Sequence, residues 1–122
     1  MDVRVLLVDD QPRYMHALVA VVGETAGFTV AGQAGTGEEC LRLAPTLRVD
    51  LVLLDVNLPG MDGVEVARRL RGGDAPPVVV LLSTYDEEAG ERFVVESGAN
   101  AYVTKSAFAP ELLTRMWARW SA

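Results

Sequence analysis

The sequence predicts a doubly wound α/β fold, one parallel five-stranded sheet with helices on both faces. Five short apolar runs, at residues 3–8, 28–31, 51–54, 78–82 and 101–103, alternate with stretches that carry helix signals, the pattern of such sandwiches. Three of the runs are almost unbroken Val and Leu. Strands buried on both faces of a parallel sheet read this way, without the polar alternation of a strand that faces water.

Each helix has its own punctuation. Pro12 suits the first helical position, and Tyr14, Leu18, Val21, Val22 and Thr25 follow at helical spacing toward a stop at Gly27. Thr36 with Glu39 three residues later forms a capping box for the second helix, which Pro45 is expected to limit. The third helix spans Gly63–Arg71, with Val66 and Leu70 on one face and Gly72-Gly73 beyond it. The fourth opens near Asp86 and closes at Gly98. The fifth opens at Pro110 and carries an apolar stripe of Leu112, Leu113, Met116, Trp117 and Trp120. Gly32-Gln33-Ala34-Gly35-Thr36-Gly37 lacks the Lys and Ser/Thr of a phosphate-binding loop and reads as a strand-to-helix turn. With no internal repeat and no low-complexity linker, residues 1–122 are expected to form one domain.

Composition narrows the function. A net charge of −6 argues against direct nucleic-acid binding, which rests on clustered Lys and Arg. The lone Cys40 excludes an internal disulfide, reads as a small core-facing thiol on a helix, and suits a reducing compartment. No apolar stretch approaches the roughly 20 residues of a membrane helix, and no secretory signal is visible, so a cytoplasmic location is expected and membrane association is not. His16, with no second His or Cys nearby, reads as a surface or interfacial residue.

The chemistry gathers at strand ends. The first run leads into Asp9-Asp10, the third into Asp55, the fourth into Ser83-Thr84 and the fifth into Lys105. A parallel sheet places these on one edge, the carboxyl edge where such sheets bind ligands. Each residue has an ordinary alternative: Asp9-Asp10 as a helix cap, Asp55 as a turn residue, Ser83-Thr84 as a loop start or a cap for the next helix, Lys105 as a solvated lysine. Their joint occurrence favours a site. Three neighbouring carboxylates need a cation to stay ionised, and few hard oxygen ligands favour Mg²⁺. A carboxylate can act as a covalent nucleophile, and Asp55 is the central one. Its phosphorylated form would be met by the cation, Lys105 and the Ser83 hydroxyl.

At these residues the chain resembles the receiver domains of bacterial two-component response regulators. The resemblance runs from Val5-Leu6-Leu7-Val8-Asp9-Asp10 to the last helix. It is most specific over Leu53-Leu54-Asp55-Val56-Asn57-Leu58-Pro59-Gly60-Met61-Asp62-Gly63. It implies the flavodoxin-like strand order 2-1-3-4-5. It further implies that Asp55 accepts a phosphoryl group from the phosphohistidine of a sensor histidine kinase. Asp10, Asp55 and the Asn57 backbone carbonyl would ligate Mg²⁺, with Asp9 acting through water. Ser83 would hydrogen-bond the phosphoryl group, Lys105 would pair with it, and Tyr102 would change rotamer with the Ser83 loop. The implied domain catalyses only its own phosphorylation and dephosphorylation. Its output would be transcription through a DNA-binding domain outside this chain. The fourth helix, fifth strand and fifth helix would form the surface for a homodimer or the output domain. Two features depart from the family: Ser83 stands where Thr is frequent, and Ser106 follows the lysine where Pro is common. The expected Lys105–Ser106 bond is therefore trans, because a non-proline cis bond costs roughly 2.5–4 kcal/mol.

Two other classes share part of the pattern. A phosphatase of the haloacid-dehalogenase type also uses an Asp nucleophile after a strand, but wants a second acid two positions on, where this chain has Asn57. A degenerate receiver acting only as an interaction module would be expected to lack acceptor-site residues, and all are present.

Overall fold

The computed structural model describes residues 1–120; the last two residues of the domain expected over 1–122 lie outside the described residues. Five strands alternate with five helices: β1 (Val3–Val8), α1 (Pro12–Gly23), β2 (Phe28–Ala34), α2 (Gly37–Leu47), β3 (Leu51–Asp55), α3 (Gly63–Arg71), β4 (Val78–Ser83), α4 (Glu87–Ser97), β5 (Ala101–Thr104) and α5 (Pro110–Trp120). All neighbouring strands are parallel, in the order β2-β1-β3-β4-β5. The three Val/Leu-rich runs are the three interior strands, so their side chains meet core on both faces.

Alternation divides those side chains between two cores. Leu6, Val8, Val52, Leu54, Val79 and Leu81 pack with α2 and α3 through Cys40, Ala44, Val66 and Leu70. Val5, Leu7, Leu51, Leu53, Val80 and Leu82 pack with α1 and α5 through Met15, Leu18, Val22, Leu113 and Met116. Cys40 is fully buried, as a core-facing thiol should be, and burial pushes it up to about 12. His16 lies exposed on α1.

Three sequence expectations need correction. β2 runs on to Ala34 rather than stopping at residue 31, so Gly32-Gln33-Ala34 is strand, not turn. An irregularity opposite Val5 and Leu6 lets pairing resume at Leu6↔Gly32, and an edge strand does not need apolar residues on both faces. α1 ends at Gly23, before Thr25, whose hydroxyl donates to Val21 O at 2.6 Å. Gly27 instead turns the chain into β2 with φ of +89°.

Pro45 lies inside α2, which continues to Leu47. One missing amide so near the helix end removes a single bond, and the Thr46 hydroxyl donates to Arg42 O at 3.2 Å beside it. The α5 stripe packs largely against the core. Leu113 and Met116 are buried, Leu112 is half-buried against the core, and Trp117 meets Phe28 and Trp120 edge-on at 6.2 and 6.4 Å.

Candidate functional site

Register sets the two central carboxylates side by side. Val8 pairs with Leu54, so the next residues, Asp9 and Asp55, continue the face of Leu7 and Leu53, and both are buried. Backbone amides hold one oxygen of each: Gln11 N donates to Asp9 Oδ1 at 2.8 Å, and Asn57 N to Asp55 Oδ1 at 3.1 Å. The other oxygens receive the ammonium of Lys105, which follows β5. Its Nζ donates to Asp9 Oδ2 at 2.9 Å and Asp55 Oδ2 at 3.4 Å. Asp10 stands exposed at the rim, and one oxygen each of Asp9, Asp10 and Asp55 lie within 4.8 Å of one another. Asp55 titrates above its ordinary range because it is buried; the Asn57 amide and the Lys105 charge oppose that, and the Asp9 charge adds to it.

A carboxylate pushed toward neutrality beside two others is a site short of positive charge. Its donor set, all hard oxygen and partly open at Asp10, fits a small divalent cation that keeps several waters. Neither capping alternative survives. The N-cap of α1 is Gln11, with no side-chain cap, and α4 is capped by Asp86, whose carboxylate accepts from Ala89 N at 2.9 Å.

Ser83 is buried one residue beyond Leu82, the register partner of Asp55. Its Oγ accepts from Asn57 Nδ2 at 3.4 Å, and Asn57 Oδ1 accepts from the Tyr85 hydroxyl at 3.4 Å. Tyr102 donates to Tyr85 O at 2.5 Å, and its ring meets Phe93 at 6.2 Å. The ring lies directly on Gly90 of α4, where a Cβ would come within 1.9 Å of it. Burial is the main cause that raises the Tyr102 phenol, followed by the charge of Asp86. At the base of the loop after β3, a Cβ on Gly63 would stand 2.3 Å from Asp55 O, so only glycine lets α3 start there.

All the expected site residues lie at this edge. Two further residues, Tyr14 and Gly90, escaped the sequence reading, and Asn57 was read only for its backbone carbonyl. Tyr14 of α1 was counted only as helix packing, yet Lys105 Nζ sits 4.3 Å above its ring centre and its hydroxyl donates to Lys105 O at 3.2 Å. A polar tip on an otherwise apolar helix face was the available signal. Burial, then the charges of Asp9 and Asp55, push the Tyr14 phenol up to about 12, so it keeps its proton. Asn57 contributes its side-chain amide to Ser83, which an amide's paired donor and acceptor allow. Gly90 was legible as a glycine in mid-helix, a sign of close approach. The described residues contain no cis peptide bond, so Lys105–Ser106 is trans, as expected. No helix among them is long and apolar enough to cross a membrane.

A parallel sheet in this order, with carboxylates and a lysine converging at its carboxyl edge, defines a phosphotransfer signalling domain. The chain belongs to the response regulator receiver domain family, which it matches over residues 5–117. It is 44% identical over 94 residues to the positive alginate biosynthesis regulatory protein of Pseudomonas aeruginosa, covering 76% of this chain and 38% of that protein. It is 42% identical over 120 residues to the DNA-binding response regulator MtrA of Mycolicibacterium smegmatis, covering 95% of this chain and 50% of that one. A LuxR-family two-component response regulator from Aurantimonas superposes with a TM-score of 0.87 at 29% identity, over 99% of this chain and 86% of that one. The chain thus spans about half or less of the length of these two curated relatives. Receiver domains are phosphorylation-dependent signalling switches that bind Mg²⁺ in an acidic pocket and pair with sensor histidine kinases and output domains.

Proposed function

We propose that Asp55 is the phosphoacceptor of a receiver domain spanning residues 1–122, charged by a sensor histidine kinase. The observation that carries this reading is the pairing of buried Asp55 with Lys105 at 3.4 Å inside a cluster of three carboxylates. An Asp55 oxygen attacks the phosphorus of a phosphohistidine; the P–N bond breaks as the P–O bond forms, and the released imidazole takes up a proton. Asp10, Asp55 and the Asn57 backbone carbonyl would hold Mg²⁺, with Asp9 contributing through water or outer-sphere contacts. When bound, the cation supplies positive charge for the carboxylates and the phosphoryl oxygens. Lys105 pairs with the phosphoryl group, and Ser83 donates a hydrogen bond to it.

Ser83 moving toward that group would release Asn57, and Tyr102 would shift its ring as the Tyr85 segment follows. The receiving surface is α4, β5 and α5. There Val95 is 84% exposed, and a groove of about 900 Å³ is lined by Val94, Tyr102, Leu112, Glu91 and Arg115. We assign it to a homodimer or an output domain. The output is transcription through a DNA-binding domain outside this chain, in the cytoplasm; this domain itself touches neither nucleic acid nor membrane. It catalyses only its own phosphorylation and dephosphorylation. Incubation with acetyl phosphate and Mg²⁺, then borohydride trapping and peptide mapping, should mark Asp55; a mark on another carboxylate would refute the assignment.

A further inference from the structure

We propose that Tyr14 is a positioning residue that holds Lys105 for its work at the acceptor, an inference that rests on the reading of Asp55 above. Two contacts carry it. The lysine ammonium lies 4.3 Å above the centre of the Tyr14 ring, and the Tyr14 hydroxyl donates to the backbone carbonyl of the same lysine at 3.2 Å. One side chain of α1 thereby grips both ends of a residue 91 positions away. That grip matters because the only other side-chain contacts of the ammonium among the described residues are the two carboxylates themselves, and little fixes the backbone that carries it. The peptide after it is trans, and the short 3₁₀ turn Lys105–Ala107 that it opens has no side-chain cap.

The ring suits the task for an electrostatic reason. At rest the ammonium sits closer to Asp9, at 2.9 Å, than to Asp55, at 3.4 Å. To meet a phosphoryl group on Asp55 it must loosen its hold on Asp9. A third carboxylate beneath it would compete with the phosphoryl group for the cation. An aromatic face attracts the ammonium wherever it lies over the ring, yet carries no net charge to trap it. Tyr14 keeps Lys105 over the site and leaves it free to shift between two anions.

Lys105 is the only lysine of the chain, so its side-chain resonance is assigned without ambiguity. The test compares Tyr14→Phe, which keeps the ring, with Tyr14→Leu, which removes both contacts; Tyr14→Met replaces the latter should it not fold. Each is made with and without Lys105→Ala, and phosphoryl uptake from acetyl phosphate with Mg²⁺ is timed. Tyr14→Leu should lose the ring-current shift of the Lys105 ε-methylene and slow uptake about tenfold, whereas Tyr14→Phe keeps the shift and most of the rate. In the Lys105→Ala background the leucine variant should slow uptake no further. An unchanged ε-methylene shift in Tyr14→Leu overturns the inference, as does an equal slowing with and without the lysine. Uptake that survives Asp55→Asn would instead sink the acceptor reading, while the lysine resonance still reports on Tyr14.

Discussion

Lys105 Nζ lies 2.9 Å from Asp9 Oδ2 and 3.4 Å from Asp55 Oδ2, so at rest the lysine bridges two carboxylates that the sheet register has already placed side by side. Removing it leaves two buried anions facing each other. Lys105→Ala should destabilise the metal-free protein by about 1–3 kcal/mol in urea unfolding, and added Mg²⁺ should recover more stability in the variant than in the wild type. Equal unfolding midpoints without metal would contradict the bridge.

Asp10 is exposed at the rim of the same cluster, and nothing in the core leans on it. Asp10→Ala should weaken Mg²⁺ binding about tenfold or more in a calorimetric titration, while the metal-free unfolding midpoint stays within error of wild type. A titration indistinguishable from wild type would move the metal elsewhere.

Gly90 is the floor on which Tyr102 rests. In an open helix a Gly→Ala change would gain about 1 kcal/mol. Here the added methyl runs into the ring, and Gly90→Ala should cost about 1–3 kcal/mol. Combined with Tyr102→Ala, the same substitution should become stabilising. A stabilising effect with Tyr102 in place would mean that the ring does not lie there.

Cys40 is raised from 9.0 to about 12 by burial. A folded-state value above the unfolded one means stability that is fully present below pH 9 and lost as pH rises toward 12. The stability gap between wild type and Cys40→Ala should therefore narrow between pH 9 and 11, because only the wild type can ionise a thiol on unfolding. A gap that does not change with pH would contradict the burial of the thiol.

What could be read from the chain follows from where the physics is local. Interior strands announce themselves because Leu51–Asp55 and its neighbours meet core on both faces, and the bounds of α3 and α5 follow from Gly63, Gly72 and Pro110. The second half of β2 was invisible, because Gly32 and Gln33 are strand only through pairing with β1 across an irregularity. Pro45 misled because a proline is expected to stop a helix, yet α2 carries it two residues before its last residue with one backbone bond missing. The acidic residues, Ser83 and Lys105 were legible from their positions at strand ends alone. That the lysine sits closer to Asp9 than to Asp55, and rests on Tyr14, depends on side-chain directions across three elements, which no linear spacing encodes.

The central claim is that the side chain of Asp55 takes the phosphoryl group. Intact-mass analysis after incubation with Mg²⁺ and acetyl phosphate tests it most directly, with wild type and Asp55→Asn side by side. The asparagine keeps the shape but loses the nucleophilic oxygen. Wild type should gain the mass of one phosphoryl group and the variant none; an equal gain on Asp55→Asn would contradict the account.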